Sequence, residues 1–443
     1  MRKVPKRVMI VSLDAVGAED LPFLETLPHF RRFFERAALC GRVNSVYPSL
    51  TYPAHTSILT GRMPKNHGVV NNIRLQPGRE RPDWIFRRAD VKSPVLYEEA
   101  KKKGMTTAGI LWPVIGRSGM DYYVPEIMVT RKWQNQILMN ALNGPVGYQL
   151  DLNRRFGHLR SGIAQPQLDN FAMASALYTM EKYRPDFFLL HLTDADTNRH
   201  EYGVRHRKAT EALRRHDERL GQLLEALART GSMEETTVVV LGDHYQKDVD
   251  KQACVNHALW KEGLLRIEKG RLKGWQAWAQ NCDGSSYVYL HPTLRDDKRL
   301  RERVRAVAEG LAEREDFGIA RIFSGEQAAA LGADPACFLM LEAKDGWMFS
   351  DGWEQPVLPA WRDAADGTHA ACGTHATCGT HATHGYLPDR DGYRTFFSAA
   401  GCGIRPGRVD KKIALWDEGA TLAALLELDL GRTDGQVIGE MLL

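Results

Sequence analysis

One threonine ahead of an expected helix start, and three strand ends that each finish in an acid, are the residues of this sequence with the means to do chemistry. In the stretch from Asn44 to Asn72, Pro48 and Pro53 bracket Thr51. A residue before a proline is pushed out of the helical region, so Tyr52 is expected as the last extended residue before a helix that begins at Pro53. Gly61 should cap that helix, and Pro64 follows. Thr51 then stands at a helix N-terminus, where unpaired N–H groups and the positive end of the helix dipole favour an anion, either a phosphate oxygen or the threonine alkoxide. Taken alone, Ser49, Thr51 and Thr56 read equally well as capping and turn residues, and the acids and histidines elsewhere have to decide.

Those acids lie at the ends of apolar runs. Val8 to Leu13 leads into Asp14, residues 186 to 193 lead into Asp194, Asp196 and His200, and Thr236 to Leu241 leads into Asp243-His244. Apolar runs of this length are the pattern of strands buried in a parallel sheet, whose C-terminal edge is where ligands bind. Zinc and similar ions take imidazole and carboxylate ligands, and hydrolytic two-metal sites hold their ions about 3.5 to 4 Å apart. The sequence offers Asp14, Asp243 and His244 as one such set, and Asp196, His200 and a further histidine as another, with Thr51 between. The further histidine comes from a six-residue repeat, Gly367 to Cys372, Gly373 to Cys378 and Gly379 to His384, which supplies His369, His375, His381 and His384. The repeat reads either as a metal tract or as a surface-loop expansion whose last copy alone has a role.

The elements that would position these residues alternate between strand and helix. Helices are expected over 28–38, 95–103, 133–142, 167–183, 205–230 and 417–426, and strands over 105–112 and 394–400. This predicts an α/β fold with a mainly parallel central sheet flanked by helices. From 262 to 355 the character shifts, with strands expected over 284–290 and 337–342 and a helix over 298–314. We therefore divide the chain into a catalytic core of 1–261 and 356–443, with a lid over 114–175, and a small α+β insertion of 262–355.

Composition excludes several classes. Lys plus Arg is 59 against 55 for Asp plus Glu, a formal net charge of +4, and no basic block occurs, so a nucleic-acid polymer is not the expected partner. No apolar run approaches the roughly 20 residues of a membrane helix. The basic opening meets Asp14 without a cleavage-site pattern, and the seven cysteines are scattered, which together give the expectation of a cytoplasmic protein.

The blocks Ser12-Leu-Asp-Ala-Val-Gly17, Tyr47-Pro-Ser-Leu-Thr-Tyr-Pro53, Leu59 to Gly68 followed by Asn71-Asn72, Asp196-Thr-Asn-Arg-His200-Glu-Tyr-Gly203, Gly242-Asp-His244 and Thr383-His-Gly-Tyr386 occur in this order. In them the chain resembles the alkaline phosphatase superfamily and, within it, the type I phosphodiesterase and nucleotide pyrophosphatase family. The resemblance implies an alkaline-phosphatase-like fold and two divalent metal ions, zinc or else manganese. One ion would be held by Asp196, His200 and His384, the other by Asp14, Asp243 and His244, with Thr51 bridging to the second as nucleophile. Asn72 matches an asparagine that holds a phosphate oxygen. Thr193-Asp194-Ala195 departs from the family pattern and leaves Asp194 as either a support behind the ligands or a ligand itself. Tyr52 matches a position where an aromatic ring meets a nucleotide base, and Tyr122 and Tyr123 are the candidates for the opposite ring face. His55, His67 and His216 are expected to be structural.

The implied activity is hydrolysis of phosphodiester or pyrophosphate bonds in small, nucleotide-type substrates through a phospho-threonine. A phosphonoacetate-type phosphonate hydrolase and a phosphomonoesterase are the alternatives on the same site, and a non-catalytic metal- or phosphate-binding module is the alternative from another class. A sulfatase is disfavoured, because no Cys or Ser-x-Pro-x-Arg segment occupies the nucleophile position.

Overall fold

The apolar run that precedes Asp14 forms the strand Arg7–Leu13, and its side chains divide by parity. Val8 and Ile10 enter one buried cluster, and Met9, Val11 and Leu13 enter another. In Phe187–Leu192 and Thr236–Leu241 the same division holds: Leu189 and Val239 join the first cluster, Leu190 and Val240 the second. A strand buried on both faces has to be covered by helices on both sides. The computed structural model, which describes residues 4–131, 133–361 and 379–443, has that arrangement.

The central sheet has nine strands, in the order Gly407–Arg408, Ala37–Asn44, Thr395–Gly401, Thr236–Leu241, Arg7–Leu13, Phe187–Leu192, Thr107–Ile110 and Tyr122–Val124, with Ile413–Ala414 also paired to Ala37–Asn44. Every pairing is parallel except those of Thr395–Gly401, which runs antiparallel to both neighbours. Helices Thr51–Thr60, Leu96–Lys102 and Leu415–Leu426 supply the first cluster, and Pro28–Phe34, Gln167–Lys182 and Arg207–Arg229 the second. The fold is α/β, with a mainly parallel sheet between helical layers. No helix among the described residues is long and apolar enough to cross a membrane.

A second, antiparallel sheet of Ala277–Cys282, Ser285–Leu290, Leu339–Ala343 and Ile319–Ser324 packs on the helix Lys298–Ala312 through Leu300, Val304, Ala308 and Leu311. Its Asp283–Gly284 turn reaches the core, where Gly284 N–H donates to the His384 carbonyl at 2.8 Å. Only glycine fits there, since a Cβ would fall 2.3 Å from a ring carbon of Tyr386. The short strand Ala382–Thr383 pairs with Lys247 and Asp248 and delivers His384 immediately after it.

Three local expectations are corrected. The helix behind Thr51 starts at Thr51 itself, with extended Leu50 as its N-cap, and not at Pro53. Pro53 occupies the third helical position, where the N–H it lacks would have no partner within the helix, so the ring costs nothing there. Tyr52 is held helical ahead of the proline because its N–H donates to Asn72 Oδ1 at 2.9 Å. Second, Ala37 and Ala38 end no helix. They open the strand Ala37–Asn44 between two strands of the sheet, where burial and pairing override alanine's helix preference. Third, the helix expected over 133–142 begins at Gln136, because the Asn135 side chain accepts from Ile137 N and Leu138 N, and a further helix, Val146–Phe156, follows it.

Candidate active site

Strand register brings the acidic ends together. Leu13 pairs with Leu192, and Ser12 with Leu241, so Asp14, the turn after Phe187–Leu192 and Asp243-His244 emerge side by side. The helix Asp194–Tyr202 then places Asp196 and His200 one turn apart on a single face. Asp14, Asp243 and His244 form one group and Asp196, His200 and His384 another, the ligand atoms within each group lying within 4.8 Å of one another. The two groups adjoin, with the His244 and His384 ring centroids 4.2 Å apart.

Thr51, only 8% exposed, lies against the first group. His244 Nε2 lies 3.1 Å from Thr51 Oγ1, 3.2 Å from Asp243 Oδ2 and 3.4 Å from Asp14 Oδ1. One imidazole nitrogen can donate to at most one of three converging oxygens. A tetrahedral ion with ligand bonds of about 2.0 to 2.1 Å sets its ligands about 3.3 to 3.4 Å apart, close to the 3.1 to 3.4 Å that separate these oxygens from His244 Nε2. Asp14 Oδ1 and Asp243 Oδ2 are also buried with no hydrogen-bond partner. The donor set therefore fits a divalent cation. In the second group, His200 Nε2 is 3.2 Å from Asp196 Oδ1.

The electrostatics agree with a site built around cationic charge. Burial and then the Asp196 charge push the Asp14 carboxyl up to about 7, and burial and then Asp14 push Asp243 up to about 7. Burial lowers His244. His200 is carried up to about 9, the Asp196 carboxylate overcoming the effect of burial. Against the same burial penalty, the charge of His200 holds Asp196 well below the usual carboxylate range.

The structure separates the alternatives that the sequence left open. Asp194 faces away from both groups: Arg215 donates to its two oxygens at 2.7 and 2.8 Å, and Arg219 adds a third contact at 2.8 Å. Of the repeat histidines, His384 joins the cluster, while His381 stacks on Trp361 with centroids 4.7 Å apart. His369 and His375 lie outside the described residues. Tyr52 is fully buried, with Trp84 edge-on at 5.0 Å. Tyr122 stacks on Tyr183 at 4.0 Å, ahead of the N-terminal end of Phe187–Leu192 and so at the opposite end of the sheet from Thr51, and Tyr123 is buried in the core. The expected ring face from Tyr122 and Tyr123 is thus absent, because short-range pairing of Tyr122–Val124 with Thr107–Ile110 turns both rings into packing. Asn72 stands by Thr51, its Oδ1 taken by Tyr52 N–H, which leaves its amide NH2 as the donor. His55 donates from Nδ1 to the Thr51 carbonyl at 2.7 Å and accepts at Nε2 from Ser12 Oγ at 2.9 Å, while His67 bonds Ser57 and His216 lies beside Arg219.

Four residues around the groups escaped the sequence reading. His191 Nε2 is 3.1 Å from Asp14 Oδ2, its Nδ1 is 3.0 Å from Glu126 Oε2, and Gln246 Nε2 donates to Asp196 Oδ1 at 2.5 Å. Asp283, from the second sheet, places Oδ2 3.7 Å from His384 Nδ1. A histidine inside the otherwise apolar run Phe187–Leu192 was the signal for His191; nothing local marks Asp283 or Glu126.

Residues 8–387 match the family model for type I phosphodiesterase / nucleotide pyrophosphatase. The chain belongs to this family. Human ectonucleotide pyrophosphatase/phosphodiesterase family member 1 is 24% identical over 251 residues, 53% of this chain and 23% of that protein. Human bis(5'-adenosyl)-triphosphatase ENPP4 is 22% identical over 272 residues, 58% of this chain and 52% of that protein. The chain thus spans about half or less of the length of these curated relatives. Among solved structures, murine ectonucleotide pyrophosphatase / phosphodiesterase 5 superposes with a TM-score of 0.65 at 15% identity, covering 99% of this chain and 100% of that one. An inactive variant of that murine protein, solved in complex with AMP, gives 0.63 at 15% identity. These likenesses show that the phosphodiesterase family fold extends over essentially the whole chain.

Proposed function

We propose that this family member is a two-metal hydrolase of phosphodiester or pyrophosphate bonds in nucleotide-type substrates, acting through a phospho-threonine on Thr51. The observation that carries the reading is the Thr51 hydroxyl 3.1 Å from His244 Nε2, at the first residue of a helix and beside two adjoining carboxylate–imidazole groups. Asp14, Asp243 and His244 would hold one divalent ion, together with Thr51, and Asp196, His200 and His384 the other; zinc fits these donors and manganese also does. When bound, such ions lower the pKa of a coordinated hydroxyl and stabilise charge on phosphoryl and leaving oxygens. Thr51 Oγ1 forms the new bond to phosphorus in line with the departing oxygen, and the helix N-terminus favours the developing negative charge. The Asn72 amide NH2 orients a non-bridging phosphoryl oxygen. Water then cleaves the Thr51–phosphorus ester and regenerates the hydroxyl. Segment 262–355 is an insertion on a core of 1–261 and 356–443 in this reading, supported by its separate antiparallel sheet and by the Asp283 turn that it lends to His384.

The test is hydrolysis of a matched set of chromogenic esters by purified protein loaded with zinc and, in parallel, with manganese: a nucleotide phosphodiester, a simple phosphodiester and a phosphomonoester, with phosphonoacetate alongside. A diester preference, strongest for the nucleotide and abolished in Thr51→Ala, is expected. Turnover confined to the monoester or the phosphonate would refute the substrate class.

A further inference from the structure

The two oxygens of Asp14 are treated differently. Oδ1 has no hydrogen-bond partner and lies 3.4 Å from His244 Nε2. Oδ2 faces His191 Nε2 at 3.1 Å. His191 is fully buried in the strand next to the one that carries Asp14, opposite Ser12 in the register. Its other nitrogen, Nδ1, is gripped by the Leu111 carbonyl at 3.1 Å and by Glu126 Oε2 at 3.0 Å. All three atoms facing the ring nitrogens are acceptors, so the ring donates from both sides. The ring plane is set as well, because His55 meets it edge-on with centroids 4.4 Å apart, and His55 is tied to the Thr51 carbonyl. Glu126 belongs to the segment after Tyr122–Val124 and keeps a side chain 26% exposed, so the chain of contacts runs from the rim of the site to the buried Asp14.

We propose that Glu126 and His191 are positioning residues that clamp Asp14 through Oδ2, so that Oδ1 is presented to a divalent cation in the Asp14–Asp243–His244 group. The inference rests on the reading of Asp14 as a metal ligand. A carboxylate left to rotate would point either oxygen at the ion and would pay for its own ordering when the ion binds; a clamp from the buried side removes that cost. Loss of such outer hydrogen bonds lowers metal affinity by about 10- to 100-fold in characterised sites.

The experiment measures zinc ion affinity and stoichiometry on metal-stripped protein by calorimetry and chelator competition, with no substrate present. His191→Leu should weaken one of two zinc sites by about 10- to 100-fold and leave the other unchanged. Glu126→Gln, at a side chain 26% exposed, should weaken the same site by a smaller factor. Added to His191→Leu it should weaken that site no further, since Glu126 acts through the histidine. Unchanged affinity at both sites in folded His191→Leu, or in Glu126→Gln should the leucine variant fail to fold, overturns the clamp. Asp14→Asn separates this failure from that of the underlying assignment: if it also keeps both zinc sites intact, Asp14 is not a ligand and the site reading falls with the clamp.

Discussion

Lowering the pH should loosen the metal ion at the Asp196–His200–His384 group from about pH 9 downwards, and the ion at the Asp14–Asp243–His244 group only from about pH 7. Asp14 and Asp243 are each pushed up to about 7, by burial first and then by the charges of Asp196 and Asp14 respectively. Without metal, at least one proton therefore rests on this pair below neutral pH, and an ion that needs both carboxylates must expel it. Each expelled proton weakens binding about tenfold, or about 1.4 kcal/mol, for every pH unit below the pKa. At the Asp196–His200–His384 group the proton to be expelled sits on His200, carried up to about 9 by Asp196. Affinity at the first group should thus level off above about pH 7, and at the second only above about pH 9. The sign for stability follows from linkage. A carboxyl whose folded pKa is raised contributes its stability below the unfolded value of about 3.9, and that contribution is lost as the pH rises towards the folded one. Metal-free protein should therefore lose Tm between about pH 5 and pH 7 from these groups, while the Tm gained on adding zinc grows over the same interval. Calorimetric zinc titrations in two buffers of different ionisation heat, over a series of pH values, read the protons released. Affinity at both sites that does not vary with pH between about 6 and 8, with no buffer dependence, would show carboxylates already ionised and an imidazole already neutral in the metal-free protein, and would refute the reasoning.

The other predictions are more compact. Thr51→Ala should lower kcat by on the order of 10⁴-fold or more while both metal ions remain at full stoichiometry, checked by turnover and by metal analysis of the same preparation. His384→Asn should lose a metal ion that His381→Asn keeps, because His381 stacks on Trp361 outside the cluster. Glu418 is fully buried in the helix Leu415–Leu426, neither oxygen has a hydrogen-bond partner, and burial followed by Asp417 pushes its carboxyl well up. By the same linkage sign, Glu418→Met should raise Tm, and the gain should be larger at about pH 8 than at about pH 5. Asp194→Asn should destabilise the fold by about 1 to 3 kcal/mol in denaturant titration, because it takes the carboxylate from Arg215 and one of two from the buried Arg219, which keeps Asp169 at 3.0 Å, with metal content retained.

The sheet was legible because a strand buried on both faces reads as an unbroken apolar run, and the acid ending such a run in Val8–Asp14 or Thr236–Asp243 marks the edge where ligands collect. The clustering at the candidate site was legible for a related reason: Thr51, Asp243-His244 and Asp196 with His200 are each recognisable within a few residues of chain. What lay beyond reach depends on register between distant segments. Glu126 and His191 are 65 residues apart and meet only because Thr107–Ile110 pairs with Phe187–Leu192 on one side and with Tyr122–Val124 on the other. Asp283 comes from a hairpin turn of a different sheet. The repeat was ambiguous for the same reason: near-identical Gly-Thr-His units carry no local difference, and His384 is distinguished by the strand Ala382–Thr383 that pairs with Lys247 and Asp248 just before it.

The Asp194 alternative shows what helix geometry could have decided earlier. Two acids two residues apart on a helix project about 200° from one another, so Asp194 and Asp196 cannot both face one metal site. His200 settles which of them does, since it stands four residues from Asp196 and shares its face, whereas Asp194 shares a face with Asn198 and bonds it at 2.9 Å. The opposite face meets Arg215 and Arg219 of the long helix Arg207–Arg229, and a carboxylate already held by two guanidinium groups has no oxygen left to give a metal ion. The departure at Thr193-Asp194-Ala195 therefore alters the support beneath the Asp196–His200 turn and leaves the Asp196–His200–His384 group itself intact. For that reason Asp194→Asn is expected to cost stability while its metal content stays whole.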